Sequence, residues 1–175
     1  MNKTPAKRFR ILAIAPSTRG FGFAVLEGRD TLVDWGGKSV DGNKNVQSLA
    51  KMKELITRYQ PGVMVLEDTS TKASRRSSRI QALSQKIIAL ARTKSVRVEL
   101  FSPEQVRRAF FADGQGTKHA RAEILAKRFP DELGSRLPPK RKPWKSEHYQ
   151  MGIFDAVTLA VVLRLKYAKR SRVGK

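Results

Sequence analysis

Two acidic residues of this 175-residue chain stand in apolar surroundings, where a carboxylate is costly unless it has a partner. Glu67 closes the run VMVLE, which predicts a buried strand whose last side chain emerges at the edge of a sheet. Asp155 stands in GIFDAVTLAVV, with apolar residues on both sides for a full helical turn. Each could bind a metal. Each also has a structural interpretation, Glu67 as a helix cap or salt-bridge partner and Asp155 in a buried ion pair with an arginine.

Converging carboxylates are the chemistry that phosphodiester hydrolysis requires. They hold two Mg²⁺ ions about 3.5–4 Å apart, of which one activates water and one stabilises the leaving oxygen. Oxygen ligands suit Mg²⁺, and a chain without cysteine has no thiolate metal site and no disulfide. Three acids from distant parts of the chain are the usual minimum, and this sequence has two clear ones.

The charge of the chain predicts a polyanionic partner. Lys and Arg total 36 against 15 for Asp and Glu, which gives a formal net charge of +21. Because such a charge weakens the compact state by self-repulsion, nucleic acid is the expected partner, and an anionic membrane surface is the alternative. No apolar run is long enough to span a bilayer, and the first ten residues lack the apolar core of a signal peptide. We therefore expect a cytoplasmic, nucleoid-associated protein without a membrane partner.

The hydrophobic pattern predicts the elements that position these acids. Three short apolar runs, RILAIA, FGFAVLEG and TLVDWGGKSV, are typical of an antiparallel meander, and alternating helices and strands follow. This order predicts an α/β fold with a mixed sheet of about five strands and helices on both faces. We expect a loop in PDELGSRLPPKRKPW, and a final helix capped by Ser146. The predicted boundaries are a basic tail at 1–9, one domain at 10–167 and a basic tail at 168–175.

Five stretches of the chain, in this order, resemble the RuvC family of the RNase H-like (retroviral-integrase) superfamily of nucleases. They are ILAIAPSTRGFGFAVLEG, VMVLED, SRIQALSQKIIALARTKSVRVELFSPEQVRRAF, GQGTKHA and FDAVTLAVV. Each motif is weak alone, but their order and spacing across roughly residues 10–165 make an RNase H-like fold the expected one.

The resemblance implies an endonuclease that cuts Holliday junctions or other branched DNA in recombination and repair. It implies Mg²⁺ or Mn²⁺ in a two-metal site, with Glu67 and Asp155 as ligands, and a possible homodimer. Lys118 would stabilise the scissile phosphate, although it could also be an ordinary phosphate contact or an exposed helix lysine. Glu147 or His148 is a candidate for a further metal ligand.

Three positions depart from the family pattern. Ala15 stands where the family has its first catalytic Asp, and a methyl group cannot bind a cation. Gly152 stands where an Asp or His usually precedes the last Asp by one turn. His148 would lie about 10 Å from Asp155 along a continuous helix, too far to share a metal. The segment DTSTKASRRSSR lacks the aromatic or apolar wedge that family resolvases place after the catalytic Glu.

Two functions from different classes remain at this point. The chain could be a metal-dependent endonuclease whose first acid has been replaced, by an experimenter or by divergence. It could equally be a catalytically inactive DNA- or RNA-binding protein that acts within a larger assembly. Trp144 could stack on a base or anchor its loop to the core. The residues expected to contact nucleic acid are Lys72, Arg75, Arg76, Arg79, Arg107, Arg108, Lys118, Lys140, Arg141 and Lys142.

Overall fold

A five-stranded mixed sheet is the centre of the computed structural model, which describes residues 8–72 and 74–174. The strands are β1 (Arg10–Pro16), β2 (Gly20–Glu27), β3 (Thr31–Ser39), β4 (Val63–Glu67) and β5 (Arg97–Phe101). The helices are α1 (Lys44–Tyr59), α2 (Ser78–Thr93), α3 (Pro103–Phe110), α4 (Lys118–Arg128), α5 (Pro130–Leu133) and α6 (Met151–Val173). The expected α/β architecture is confirmed.

The sheet has the order β3-β2-β1-β4-β5, antiparallel in its first three strands and parallel from β1 through β5. The meander therefore forms as predicted, and β4 adds beside β1 in the same direction. Val63 pairs with Ile11 and Val65 with Ala13. Because parallel strands end at the same edge, the same offset places Glu67 beside Ala15.

Both faces of the sheet are covered, which explains why β1 is an uninterrupted apolar run. Ile11 and Ala13 point to the face covered by α3, α4 and α6. Leu12 and Ile14 point to the opposite face, where α1 and α2 pack. The two-residue periodicity of a strand thus supplies both cores.

The last helix differs from its prediction at both ends. Ser146 does not cap it; α6 begins at Met151 instead, after a turn in which the backbone N–H of Gln150 donates to Nδ1 of His148. Such local side-chain bonds compete with helix formation. At the other end, the helix continues through Val173, so residues 168–173 of the predicted basic tail are helical.

Two other predicted segments need comment. The expected loop after Phe129 contains α5 and a 3₁₀ turn at Gly134–Arg136. Residues 1–7 of the predicted N-terminal tail lie outside the described part of the chain. Phe9 packs edge-to-face on Tyr167, with ring centroids 6.0 Å apart, so this residue of the predicted tail contacts the domain. Among the described residues, no helix has the length and apolarity needed to cross a membrane.

A salt bridge between Arg10 and Glu27 makes the free energy of unfolding depend on pH. It lies at the end of the β1–β2 pair that is far from Ala15. Nε of Arg10 donates to Oε2 of Glu27 at 2.7 Å, and this bond holds the pKa of Glu27 below its ordinary value of 4.5. The stabilisation is present above pH 4.5 and is lost as the pH falls through the lower folded-state pKa.

We therefore expect the melting temperature of the wild type to exceed that of Glu27→Gln at neutral pH, because only the charged carboxylate gains from Arg10. The gap should close in acid. Thermal melts of both proteins between about pH 3 and pH 7 measure it. A gap that stayed constant over that range would show that Glu27 contributes through packing and not through its charge.

Candidate functional site

The four residues predicted to form the catalytic centre line one cavity of about 210 Å³. Ala15 and Glu67 reach it from the ends of β1 and β4, Lys118 from the start of α4, and Asp155 from the second turn of α6. We call this the carboxylate cavity. Its position at the carboxyl ends of two neighbouring parallel strands is where open α/β sheets place their sites.

The carboxylate of Glu67 is held by a guanidinium of the chain itself. Nε of Arg76 donates to Oε1 of Glu67 at 3.2 Å, and Nη2 donates to Oε2 at 3.1 Å. This bidentate pair is half-buried and raises the pKa of Arg76. Each oxygen of Glu67 therefore accepts one hydrogen bond from a cation of the chain itself.

The carboxylate of Asp155 is also held by a cation. Nζ of Lys118 lies 3.1 Å from Oδ2 of Asp155 and 3.2 Å from Oε2 of Glu147. Burial raises the pKa of Asp155, while the ammonium group of Lys118 opposes that rise. Lys118 thus bridges Glu147, in the turn before α6, and Asp155, on α6 itself.

Glu147 reaches Lys118 because α6 begins late. On a continuous helix from Ser146 it would lie two turns from Asp155, but the turn before Met151 folds it back to Lys118. His148 makes no such approach; its ring stacks on Tyr149 with centroids 4.5 Å apart. Of the two extra candidate ligands, the structure brings only Glu147 to the charged cluster.

A backbone contact between two glycines sets the position of Asp155. The carbonyl oxygen of Gly152 lies so close to Gly22 on β2 that a Cβ at Gly22 would fall 2.0 Å from it. Gly22 is also the cross-strand partner of Ala15. A Cβ at Gly152 itself would meet backbone atoms of Gly22 only at 3.7 Å and beyond, which is ordinary contact. The close approach therefore requires glycine at 22 and not at 152.

The donor set does not fit a pair of divalent ions. Ala15 offers no ligand, both oxygens of Glu67 accept from Arg76, and Oδ2 of Asp155 lies against Lys118. Within residues 8–72 and 74–174, no group of three or more acidic, His or Cys side chains is placed to hold a metal. Two Mg²⁺ ions would have to displace two resident cations and would still lack the ligand at position 15.

The predicted basic residues separate into three groups. Arg76, Arg107 and Lys118 line the carboxylate cavity. Arg79 has a structural role, since its guanidinium donates to Oδ1 of Asn45 and to the carbonyl of Ser17, and Arg108 pairs with Glu104 on its own helix. The others are exposed: Lys72, Arg75, Lys140, Arg141 and Lys142.

A larger groove of about 570 Å³ adjoins the carboxylate cavity and shares Ala15, Arg76, Lys118 and Asp155 with it. We call it the basic groove. The residues that line it include the candidate ligand His148 and four residues that sequence reasoning did not connect with the site: Arg19, Lys38, Arg136 and Tyr149. Arg19 precedes β2, Lys38 lies on β3, Arg136 ends the 3₁₀ turn, and His148 and Tyr149 belong to the turn before α6, so only the folded chain brings them together.

The segment from 137 to 150 exposes two aromatic rings. Trp144 is 76% exposed, with Lys142 Nζ 5.6 Å from the centre of its ring. The interpretation of Trp144 as an anchor to the core is therefore wrong. Tyr149 is 67% exposed beside the basic groove. The only sequence signal for it was its place in a basic segment next to a predicted helix start.

The glycine contact predicts opposite effects for the same substitution at two neighbouring positions. Gly22→Ala should lower the free energy of unfolding by about 2 kcal/mol, because the methyl group clashes with the backbone of α6. Gly152→Ala should raise it by roughly 0.5 kcal/mol, because Ala loses less entropy than Gly in a helix. Urea unfolding of the two variants measures the difference. Equal effects at the two positions would contradict the packing of α6 on β2.

Comparisons with known proteins agree on the fold. No protein-family model matches the sequence, and no curated protein matches it. The structure of Thermus thermophilus RuvC matches with a TM-score of 0.64 and 18% identity, over 90% of this chain and 97% of that one. T. thermophilus RuvC in complex with a Holliday junction substrate matches at 0.62 and 17%, over 90% and 96%. The yeast mitochondrial Holliday junction resolvase Ydc2 matches at 0.56 and 13%, over 91% and 81%. The resemblance inferred from the motifs is thus confirmed at the level of the fold: this chain has the RuvC fold of the RNase H-like class.

Proposed function

We propose that this protein binds branched or otherwise structured DNA and does not cut it. One observation carries the proposal: Glu67 and Asp155, which a nuclease of this fold would use for metals, are paired with Arg76 and Lys118, and Ala15 supplies no third ligand. DNA as the ligand is supported by the solved structure of T. thermophilus RuvC with a Holliday junction substrate.

The charge distribution supports a large phosphate-binding surface. The net charge is +21, and the basic groove adds Arg19, Lys38 and Arg136 to the cations of the carboxylate cavity. The exposed residues 140–142 lie in the segment that leads to the groove. Contacts of this kind fix the position of a duplex without reading its sequence. Affinity should therefore fall steeply with salt.

The exposed rings support recognition of unpaired bases. The segment after Glu67 has no aromatic residue, whereas Trp144 and Tyr149 are exposed on the segment before α6. Tyr149 is stacked on His148, which presents the ring at the basic groove with part of its mobility already removed. We assign Tyr149 to stacking on a base at the branch point or at a single-stranded end.

Metal-dependent cleavage by Mg²⁺ or Mn²⁺ is the alternative function. The observation that favours it is the convergence of Glu67, Asp155 and Lys118 on a single cavity. A homodimer and a nucleoid-associated location in the cytoplasm accompany either function as predictions from the sequence.

The decisive experiment compares binding and cleavage for the wild type and Ala15→Asp. We expect both proteins to prefer a four-way junction to a duplex of equal length in EDTA. Neither should release product with Mg²⁺ or Mn²⁺, since the new carboxylate leaves Arg76 on Glu67 and Lys118 on Asp155. Gel shift and nicking assays on the same labelled junction measure both properties.

Two results would contradict this expectation. Cleavage by the wild type that is lost in Glu67→Gln would establish the alternative function. Cleavage by Ala15→Asp alone would show that the missing acid, and not the ion pairs, prevents catalysis.

The role of Tyr149 has its own test. Tyr149→Ala should weaken binding to a junction with an unpaired base by about tenfold, the typical cost of losing one stacked base. Tyr149→Phe keeps the ring and should keep the affinity. A fluorescent base analogue at the branch point reports the stacking directly. Equal losses in the two variants would assign the effect to the hydroxyl group instead of the ring.

A further inference from the structure

Arg121 is a buried cation with an unpartnered donor. It lies in the second turn of α4, is only 9% exposed, and its Nε has no hydrogen-bond partner among the described residues. A buried N–H that has lost water and gained no acceptor is costly. Burial accordingly lowers the pKa of Arg121. A buried donor that lacks an acceptor within the fold is typical of a site that binds a ligand.

Arg121 lines the carboxylate cavity, where cations outnumber acids. Four cationic side chains line the cavity with only two carboxylates, Glu67 and Asp155. The four cations are Arg76, Arg107, Lys118 and Arg121. Arg76 and Lys118 are neutralised by the acids, whereas Arg107 and Arg121 form no salt bridge within the part of the chain that the structure describes. The excess positive charge is thus concentrated on those two arginines.

The geometry of α3 and α4 directs these charges into one space. Lys118 and Arg121 are three residues apart on α4, so they share a helix face. Arg107 belongs to α3 and lines the same cavity. The methyl group of Ala15 completes the lining without adding a negative charge. An aspartate there would repel an anion; the alanine does not.

We propose that the carboxylate cavity is a metal-independent phosphate site, in which Arg121 and Arg107 bind the oxygens of a phosphate group directly and Lys118 adds a third contact. The buried Nε of Arg121 is a donor without an acceptor in the fold, and planar guanidinium groups suit phosphate geometry. The proposal rests on the proposed function only for the source of the phosphate, which would be the DNA backbone.

The first arm of the test uses small probes in EDTA. Sodium pyrophosphate and a single-stranded oligothymidylate are titrated against the wild type, Arg121→Met and Lys127→Met, with thermal unfolding and calorimetry as readouts. Lys127 is the matched control, because it is exposed, lies on the same helix and carries the same charge. Protection by pyrophosphate and the oligonucleotide would show a general phosphate site; protection by the oligonucleotide alone would assign the site to backbone diesters.

We expect ligand to raise the melting temperature of the wild type and of Lys127→Met. Arg121→Met should bind at least tenfold more weakly, and without ligand its melting temperature should equal or exceed that of the wild type. A merely structural arginine would give the reverse, a lower melting temperature and unchanged binding, and that result would overturn the proposal. So would a wild type that neither probe protects.

The second arm separates this proposal from the proposed function. Junction affinity is measured in EDTA at several salt concentrations, where Arg121→Met should reduce the slope of log K against log salt by about 0.9, one phosphate contact. If the junction binds both proteins with the same affinity and slope, the phosphate site is wrong and the proposed function stands. If pyrophosphate protection depends on Arg121 but junctions are not preferred to duplexes, the phosphate site stands and the proposed function is wrong.

Discussion

The contact between the first turn of α6 and Gly22 is the constraint on which the site depends. It lets the helix approach the sheet backbone to backbone, without a side chain between them. Asp155, one turn further on, is thereby brought to the edge where β1 and β4 end. With a larger residue at 22 the helix would have to move outward, and Asp155 would move with it.

Charge compensation inside the cavity is the second organising feature. Two carboxylates at one sheet edge repel each other and require positive charge between them. In this chain the side chains of Arg76 and Lys118 supply that positive charge, so no ion from solution is required. The chain has a fold that other proteins use for branched DNA. Its central cavity differs because the carboxylates there are paired with two cationic side chains.

Much of the fold could be predicted because the relevant signals are local. The two-sided burial of β1 appears as a continuous apolar run, and the Ser102–Gln105 capping box marks the start of α3 as expected. The apolar surroundings of Glu67 and Asp155 indicated that each carboxylate needs a partner, and the resemblance to the RuvC family implied that the two converge. The resemblance to the RuvC family added the spatial arrangement of these strands and helices.

The features that could not be predicted depend on contacts between segments distant in sequence. Arg76 pairs with Glu67 and Arg79 donates to Asn45, and neither contact has a signal in the sequence pattern. The turn before Met151 contains a bond from the backbone N–H of Gln150 to Nδ1 of His148, which the hydrophobic pattern does not indicate. The burial of Arg121 could not be predicted, because several basic residues share its helix and residue type alone does not determine burial.

The orphan Nε of Arg121 has a consequence for the protein's lifetime in a cell. A native state that carries a buried donor without an acceptor is less stable than one that satisfies it, and transiently open chains are those that proteases degrade. An anion that binds only the native form reverses this by mass action. Turnover would then follow occupancy: molecules on a nucleic-acid scaffold would persist and free ones would be removed, so that abundance adjusts to the number of available sites without a dedicated regulator.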